Sequence, residues 1–204
     1  MPDRFPGYDV LAKRHTPSWN EQTRTVIDRR LAVPRDPRLL TEDEFATVVA
    51  IAARIVPRRP GRAPIPVAAL VDEKLLADRA DGYRLAGMPR EREAWRRGLA
   101  ALDAEARAAH GARFRDLGVA EQDALLTRMQ RGELHDAAWS GMPPKAFFER
   151  RMARDLVLAY YSHPAAWNDI GWGGPASPRG YVRMGFNERD PWEAEEAKAD
   201  PHGG

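Results

Sequence analysis

The 204-residue sequence contains no cysteine. This absence excludes a disulfide framework, a zinc or iron–sulfur site built on thiolates, covalent attachment of a c-type haem, and a cysteine nucleophile. It does not identify the compartment, because a chain without thiols is indifferent to redox conditions. The apolar share of 43% is sufficient for a hydrophobic core, and the length suits one compact domain with an appendage.

Long apolar runs are also missing. No stretch approaches the roughly 18–20 apolar residues that span a bilayer, which argues against direct membrane insertion. The first residues, Met1 to Gly7, provide neither a signal-peptide core nor a twin arginine. We therefore expect the chain to be cytoplasmic, and periplasmic only if it is exported together with a partner that carries a signal.

Charge of one sign is not in excess. The chain has 32 basic and 30 acidic residues, a formal charge of +2, and the two signs alternate along it. Nucleic-acid binders usually concentrate positive charge on one face or tail, and no segment here does so. The composition therefore predicts a mixed-charge surface and no nucleic-acid partner.

Alternating β-strand patterns are absent, and helical periodicity dominates. Capping boxes at Ser18 to Glu21 and at Thr41 to Glu44 predict two helix starts, and the first helix should end near Leu31. Further helices are predicted from Pro66, over 90–109, over 119–130 and from Pro144 to about residue 161, with a turn at Asp81-Gly82. The second helix carries an apolar stripe formed by Phe45, Val48, Val49, Ala52, Ile55 and Val56.

These patterns predict an all-α fold of about six helices in an irregular bundle. We divide the chain into an N-terminal extension with a short helix (1–40), a helical domain (41–161), and an extended C-terminal arm and tail (162–204). The arm is rich in glycine but also holds three of the six tryptophans, whereas disordered tails are poor in aromatic residues. Its rings need an apolar surface, which either the chain's own domain or a partner provides.

No self-sufficient catalytic, cofactor or metal site can be identified. The five histidines (His15, His110, His135, His163 and His202) lack metal-ligand spacing and are interpreted as surface or capping residues. The glycines at 171–174 follow no strand and open no helix, which disfavours a phosphate loop. Asp103 and Glu105, and likewise Glu193, Glu195 and Glu196, are interpreted as solvated helix faces.

Several segments together carry a family resemblance. They are Thr41-Glu42-Asp43-Glu44-Phe45-Ala46, Ile55-Val56-Pro57, Arg97-Gly98-Leu99-Ala100-Ala101-Leu102-Asp103, Phe114-Arg115-Asp116-Leu117, Ala120-Glu121-Gln122-Asp123-Ala124-Leu125-Leu126, Phe147-Phe148, and Ala166-Trp167-Asn168-Asp169-Ile170-Gly171-Trp172-Gly173-Gly174. In this order and spacing they resemble the gluconate 2-dehydrogenase subunit 3 family over roughly residues 38–190.

The resemblance implies a non-catalytic helical subunit. Members bind a large glucose–methanol–choline-type flavoprotein that holds FAD and oxidises the sugar or sugar acid, and they assist its maturation. A multihaem cytochrome c is a further candidate partner, because it often takes the electrons. Many members carry a twin-arginine signal, from which this sequence departs.

The aromatic residues of the arm are our candidates for partner contact, and they are Trp167, Trp172, Tyr181, Phe186 and Trp192. No cofactor is expected in this chain, and FAD is expected in the partner. Two alternatives remain open. One is a stand-alone helical protein-interaction module without a redox link, and the other is an enzyme of unrecognised type with a pocket near His163 and Asp169.

Overall fold

The computed structural model describes residues 4–57, 59–78, 82 and 86–197. These residues form eight α-helices and no β-strand, so the fold is all-α as predicted. The helices are α1 (Glu21–Leu31), α2 (Glu42–Ile55), α3 (Val67–Ala77), α4 (Glu91–His110), α5 (Val119–Arg131), α6 (Pro144–Phe147), α7 (Ala153–Ser162) and α8 (Pro164–Asp169). Short 3-10 helices lie at Val10–His15, Phe114–Asp116 and Ala137–Trp139.

The chain divides into two compact units. Val33–Tyr160 forms one, here called the central unit, and Met1–Ala32 together with Tyr161–Gly204 forms the other, the terminal unit. The N-terminal extension and the C-terminal arm, treated as separate segments above, thus fall largely in the same unit. The division at 1–40, 41–161 and 162–204 stays a prediction.

The predicted starts of α1 and α2 have different outcomes. Thr41 and Glu44 form the expected capping box, in which each side chain accepts the other's backbone N–H. The prediction that Ser18 caps α1 is wrong. Asn20 is the cap, and its Oδ1 accepts from the N–H of Thr23 at 2.9 Å. The end of α1 at Leu31 is confirmed.

Helix α4 forms the centre of the central unit. It ends as predicted at Gly111, whose positive φ of 74° suits a residue without a Cβ. The ring of Trp95 packs edge-to-face on Phe147, with ring centroids 5.8 Å apart. The predicted inward positions of α4 and α5 are buried; they are Trp95, Leu99, Leu102, Ala106, Leu125, Leu126 and Met129.

The apolar stripe of α2 is only partly buried. Val48 and Ala52 face the core, but Val49 is exposed. Phe45, Val49 and Val56 line an apolar cavity of about 390 Å³ together with residues of the 57–69 segment. The core of the central unit therefore covers only part of the apolar stripe, and the rest of it lines the cavity.

The predicted helix from Pro144 is interrupted by a π-helical turn at Phe148–Met152, which separates α6 from α7. Such turns insert one extra residue and shift the buried face of a helix. Helix α8 was not predicted, and it falls within the predicted arm. The sequence also predicted a turn at Asp81-Gly82 and a surface or capping role for His202. Asp81 and His202 lie outside the described residues.

No helix among the described residues combines the length and the apolar character needed to cross a bilayer.

Candidate functional site

The arm after α8 runs without a regular helix or strand through the rest of the described chain. It is held to the N-terminal segment within the terminal unit. Trp19 Nε1 donates to the carbonyl of Pro175 at 2.7 Å, and the N–H of Asn20 donates to the carbonyl of Ser177 at 2.9 Å. Trp19 is buried by this packing. The first part of the arm therefore has an intramolecular surface to lie on.

Trp167 is a core residue of the terminal unit. Its side chain is only 1% exposed, and its Nε1 donates to the carbonyl of Tyr161 at 2.6 Å. It packs edge-to-face on Trp172 with centroids 4.8 Å apart. A Cβ added to Gly174 would lie 2.9 Å from the Trp167 ring, so glycine is required there. The structure thus gives Trp167 a packing role.

The other predicted contact residues are more accessible. Trp172 is 40% exposed, Tyr181 69% and Phe186 95%. Trp192 is half-buried, and the Arg179 guanidinium lies over its ring at 5.2 Å from the centroid. We use the name exposed arm set for the exposed large apolar residues of this segment, which are Ile170, Trp172, Tyr181, Val182, Met184 and Phe186.

A pocket of about 310 Å³ lies inside the terminal unit beside these rings. Its walls include Lys13, Ser18, Trp172, Arg179 and Trp192. Lys13 is only 4% exposed, and its Nζ donates to the carbonyl of Gly173 at 2.5 Å. Burial lowers the pKa of Lys13, and the nearby Arg179 lowers it further. We call this cavity the Lys13–Arg179 pocket.

Two ion pairs line the same pocket. Arg179 Nη2 lies 2.6 Å from Asp190 Oδ2, and Arg183 makes two contacts with Glu193 at 3.0 and 2.9 Å. The hydrogen bond from Arg179 holds the pKa of the Asp190 carboxyl below its usual value. Arg183 does the same for the pKa of Glu193. The two carboxylates of this pocket, Asp190 and Glu193, are therefore each paired with an arginine.

The interpretation of Asp103 and Glu105 as a solvated helix face was wrong. Glu105 is buried in α4 and accepts from the N–H of Asp136 at 2.8 Å and from Trp139 Nε1 at 3.2 Å. Asp103 accepts from the N–H of Phe114 at 3.0 Å. Asp103 thus satisfies a backbone donor just after α4, and Glu105 satisfies one backbone and one side-chain donor in the segment after α5. Glu193 and Glu196 lie outside any helix, and Glu196 pairs with Arg4 at 2.6 Å.

His163 is a capping residue, as interpreted from the sequence. It precedes α8 and its Nδ1 accepts from the N–H of Ala165 at 3.2 Å. Among the described residues, no group of three or more His, Asp or Glu side chains is placed to hold a metal ion.

Two buried carboxylates of the central unit were missed. Asp72 accepts from the N–H groups of Arg38, Leu39 and Leu40 at 2.7 to 3.2 Å. Asp155 accepts from Trp95 Nε1 at 2.8 Å and from Lys74 Nζ at 2.7 Å. In the sequence, each of them is an acidic residue among the apolar residues of a helix, and this pattern could have identified both as buried. Both oxygens of each carboxylate accept from protein donors, which is typical of structural carboxylates.

Comparison with known proteins adds one finding. A family model described as gluconate 2-dehydrogenase subunit 3 matches residues 42–174, which is more than half of the chain. No curated protein and no solved structure matched. The match covers α2 to α8 and includes Trp167 and Trp172, and it ends before Tyr181, Phe186 and Trp192. On this evidence, and in agreement with the sequence motifs, the chain belongs to the gluconate 2-dehydrogenase subunit 3 family.

Proposed function

We propose that this protein is a non-catalytic accessory subunit that binds an FAD-containing glucose–methanol–choline-type sugar or gluconate dehydrogenase and assists its maturation. Membership of the family supports this proposal, because the family name implies a multisubunit gluconate dehydrogenase complex. In the proposed complex the FAD belongs to the partner subunit. A multihaem cytochrome c is the proposed electron acceptor.

The exposed arm set is the observation that carries the proposal. Tyr181, Val182, Met184 and Phe186 lie close together in sequence, and each is well over half exposed. Burying one such side chain fully is worth roughly 1.5–3 kcal/mol. Aromatic residues that become fully desolvated are also the commonest hot spots of protein interfaces. A partner surface that covers this segment would therefore gain several favourable contacts.

Point variants test this proposal better than a deletion of the arm. Removing the segment after His163 would also remove Trp167 and the carbonyl of Pro175, both of which are packed within the terminal unit. Such a deletion would damage the fold and the proposed contact surface together. Substitutions at Tyr181 and Phe186 change mostly exposed side chains, and the hydrogen bond from the Tyr181 hydroxyl to the carbonyl of Gly174 at 3.0 Å is lost with Tyr181.

The experiment co-expresses the full chain with a candidate flavoprotein of the glucose–methanol–choline type. Affinity purification of this chain should recover protein with flavin absorbance. The double variant Tyr181→Ser/Phe186→Ser should weaken recovery by about tenfold or more, as the loss of hot-spot contacts implies. Leu158→Ser, which changes an exposed apolar residue of α7, is the matched control and should leave recovery unchanged.

Two outcomes would contradict the proposal. If the double variant recovers the flavoprotein as well as the unmodified chain does, the exposed arm set is not the contact surface. If no flavoprotein of this type is recovered by the unmodified chain, the accessory-subunit assignment itself is wrong. Flavin content of the dehydrogenase expressed with and without this chain measures the maturation role separately.

A further inference from the structure

Two residues that line the Lys13–Arg179 pocket carry buried polar atoms that have no hydrogen-bond partner among the described residues. Ser18 is completely buried, and its Oγ makes no hydrogen bond. Nε and Nη1 of Arg179 are likewise buried without an acceptor. Folded proteins satisfy nearly all buried polar groups, so three unpaired atoms on two residues of one pocket need an explanation. A bound ligand with acceptor oxygens would provide their partners.

The charges in the pocket indicate the sign of that ligand. Lys13, Arg179 and Arg183 contribute three positive charges, and Asp190 and Glu193 contribute two negative ones. Arg179 and Arg183 pair with the two carboxylates. Within the described part of the chain, no carboxylate forms an ion pair with Lys13, whose ammonium is nearly buried. One positive charge is therefore left for a monoanion to neutralise.

The remaining walls indicate that the ligand has an organic body. Trp172, Tyr181 and Trp192 line the pocket, and the Trp192 ring already supports the Arg179 guanidinium. Aromatic rings favour a ligand with an apolar or ring face over a small hydrated inorganic ion. The volume of about 310 Å³ is at the lower end of the range for small-molecule sites.

We propose that the Lys13–Arg179 pocket binds a small organic carboxylate. Its two oxygens would accept from the unpaired Arg179 nitrogens and from the Ser18 hydroxyl, and its charge would balance Lys13. Charge-assisted hydrogen bonds of this kind are about twice as strong as neutral ones. This inference concerns the chain by itself and does not depend on the binding of a flavoprotein.

The test is isothermal titration calorimetry on the full chain with two pairs of probes. Benzoate is compared with its neutral isostere benzamide, and gluconate is compared with glucose. We expect saturable binding of at least one carboxylate in a 1:1 ratio, and binding at least about tenfold weaker for its neutral counterpart, because the charge-assisted bonds are lost. Inorganic phosphate should bind more weakly than that carboxylate.

Variants connect this binding to the pocket. Ser18→Ala and Arg179→Gln should each reduce the affinity for the bound carboxylate by about threefold to tenfold. Arg30→Gln is the matched control, because Arg30 lies in the same unit but donates to the carbonyl of Ser162 outside the pocket. It should leave the affinity unchanged. If Arg179→Gln does not fold, Ser18→Ala and the neutral probes still decide the question.

Ser18→Ala also distinguishes a binding role from a structural one. An unpaired buried hydroxyl destabilises the free chain, so its removal should leave the melting temperature unchanged or raise it while weakening carboxylate binding. A lower melting temperature of the free Ser18→Ala chain would overturn the premise, because the hydroxyl would then have a partner. Absence of saturable carboxylate binding, or equal binding of the neutral probes, would overturn the proposal.

Discussion

Replacing Gly98 with alanine tests the packing at the centre of the central unit. Gly98 is buried in the middle of α4 and faces Phe147. A Cβ at this position would lie 2.8 Å from Cδ1 of Phe147, and closer still to its Cε1 and Cζ. Carbon atoms do not approach so closely in folded proteins, so either the ring or α4 must move.

Two opposing effects determine the size of the change. Alanine is favoured over glycine inside a helix by about 1 kcal/mol, which would stabilise the variant. Overpacking a tight core typically costs about 1–3 kcal/mol. The upper part of this range applies here, because Phe147 is fully buried and its ring packs against both Trp95 and Trp139. We therefore expect Gly98→Ala to lower the free energy of unfolding by about 1–2 kcal/mol.

Urea denaturation monitored by circular dichroism measures this quantity. Ala100→Gly, at an exposed position of the same helix, calibrates the propensity effect alone and should cost about 1 kcal/mol. The double variant Gly98→Ala/Phe147→Leu should lose less than the sum of the two single variants, because the smaller side chain makes room for the Cβ. A Gly98→Ala protein as stable as the parent would refute the steric argument.

Two further predictions concern buried polar groups. Asp155→Asn should lower the free energy of unfolding by about 2–3 kcal/mol, because it removes the buried charge that pairs with Lys74. The control is Asp123→Asn, because Asp123 forms an exposed pair with Arg54. In the same urea assay it should lower the free energy of unfolding by less than about 1 kcal/mol. Burial raises the pKa of Tyr8 from 10.0 to about 12, so unfolding releases a proton between these values and stability should fall as the pH rises through this window. Tyr8→Phe should reduce this alkaline loss. Ultraviolet titration of tyrosinate should show late ionisation in the folded parent chain that is missing from Tyr8→Phe, and identical titration curves for the two proteins would contradict the prediction.

Local sequence patterns predicted most helix boundaries, but they did not distinguish between two possible capping residues that lie close together in the chain. Thr41 and Glu44 cap α2 through contacts three residues apart, so the sequence pattern alone was sufficient. At α1, both Ser18 and Asn20 can serve as caps. The choice depends on Trp19, which is buried and bonded to Pro175, far along the chain. A local pattern contains no information about that contact.

The same limit applies to the aromatic residues of the arm. Their number predicted that some of them need an apolar surface, but not which ones the chain covers itself. Trp167 is buried because Gly174 leaves room for its ring and because Asn168 is fixed by the N–H of Val10 at 2.8 Å. Among the described residues no comparable contact holds Phe186, which is 95% exposed. Only the non-local packing of the terminal unit separates these two roles.

The distribution of exposed aromatic residues supports a binding function for the arm more strongly than their number does. The chain buries Trp19, Trp95 and Trp167 almost completely, so it has interior space for large rings. Among the described residues, every exposed aromatic side chain lies between Tyr161 and Phe186. Scattered exposure of apolar side chains is ordinary on protein surfaces, whereas exposure concentrated in one segment is typical of interaction sites. The loss of partner binding should therefore be concentrated in variants of this segment, and exposed apolar residues of the central unit, such as Leu158, should be replaceable without effect.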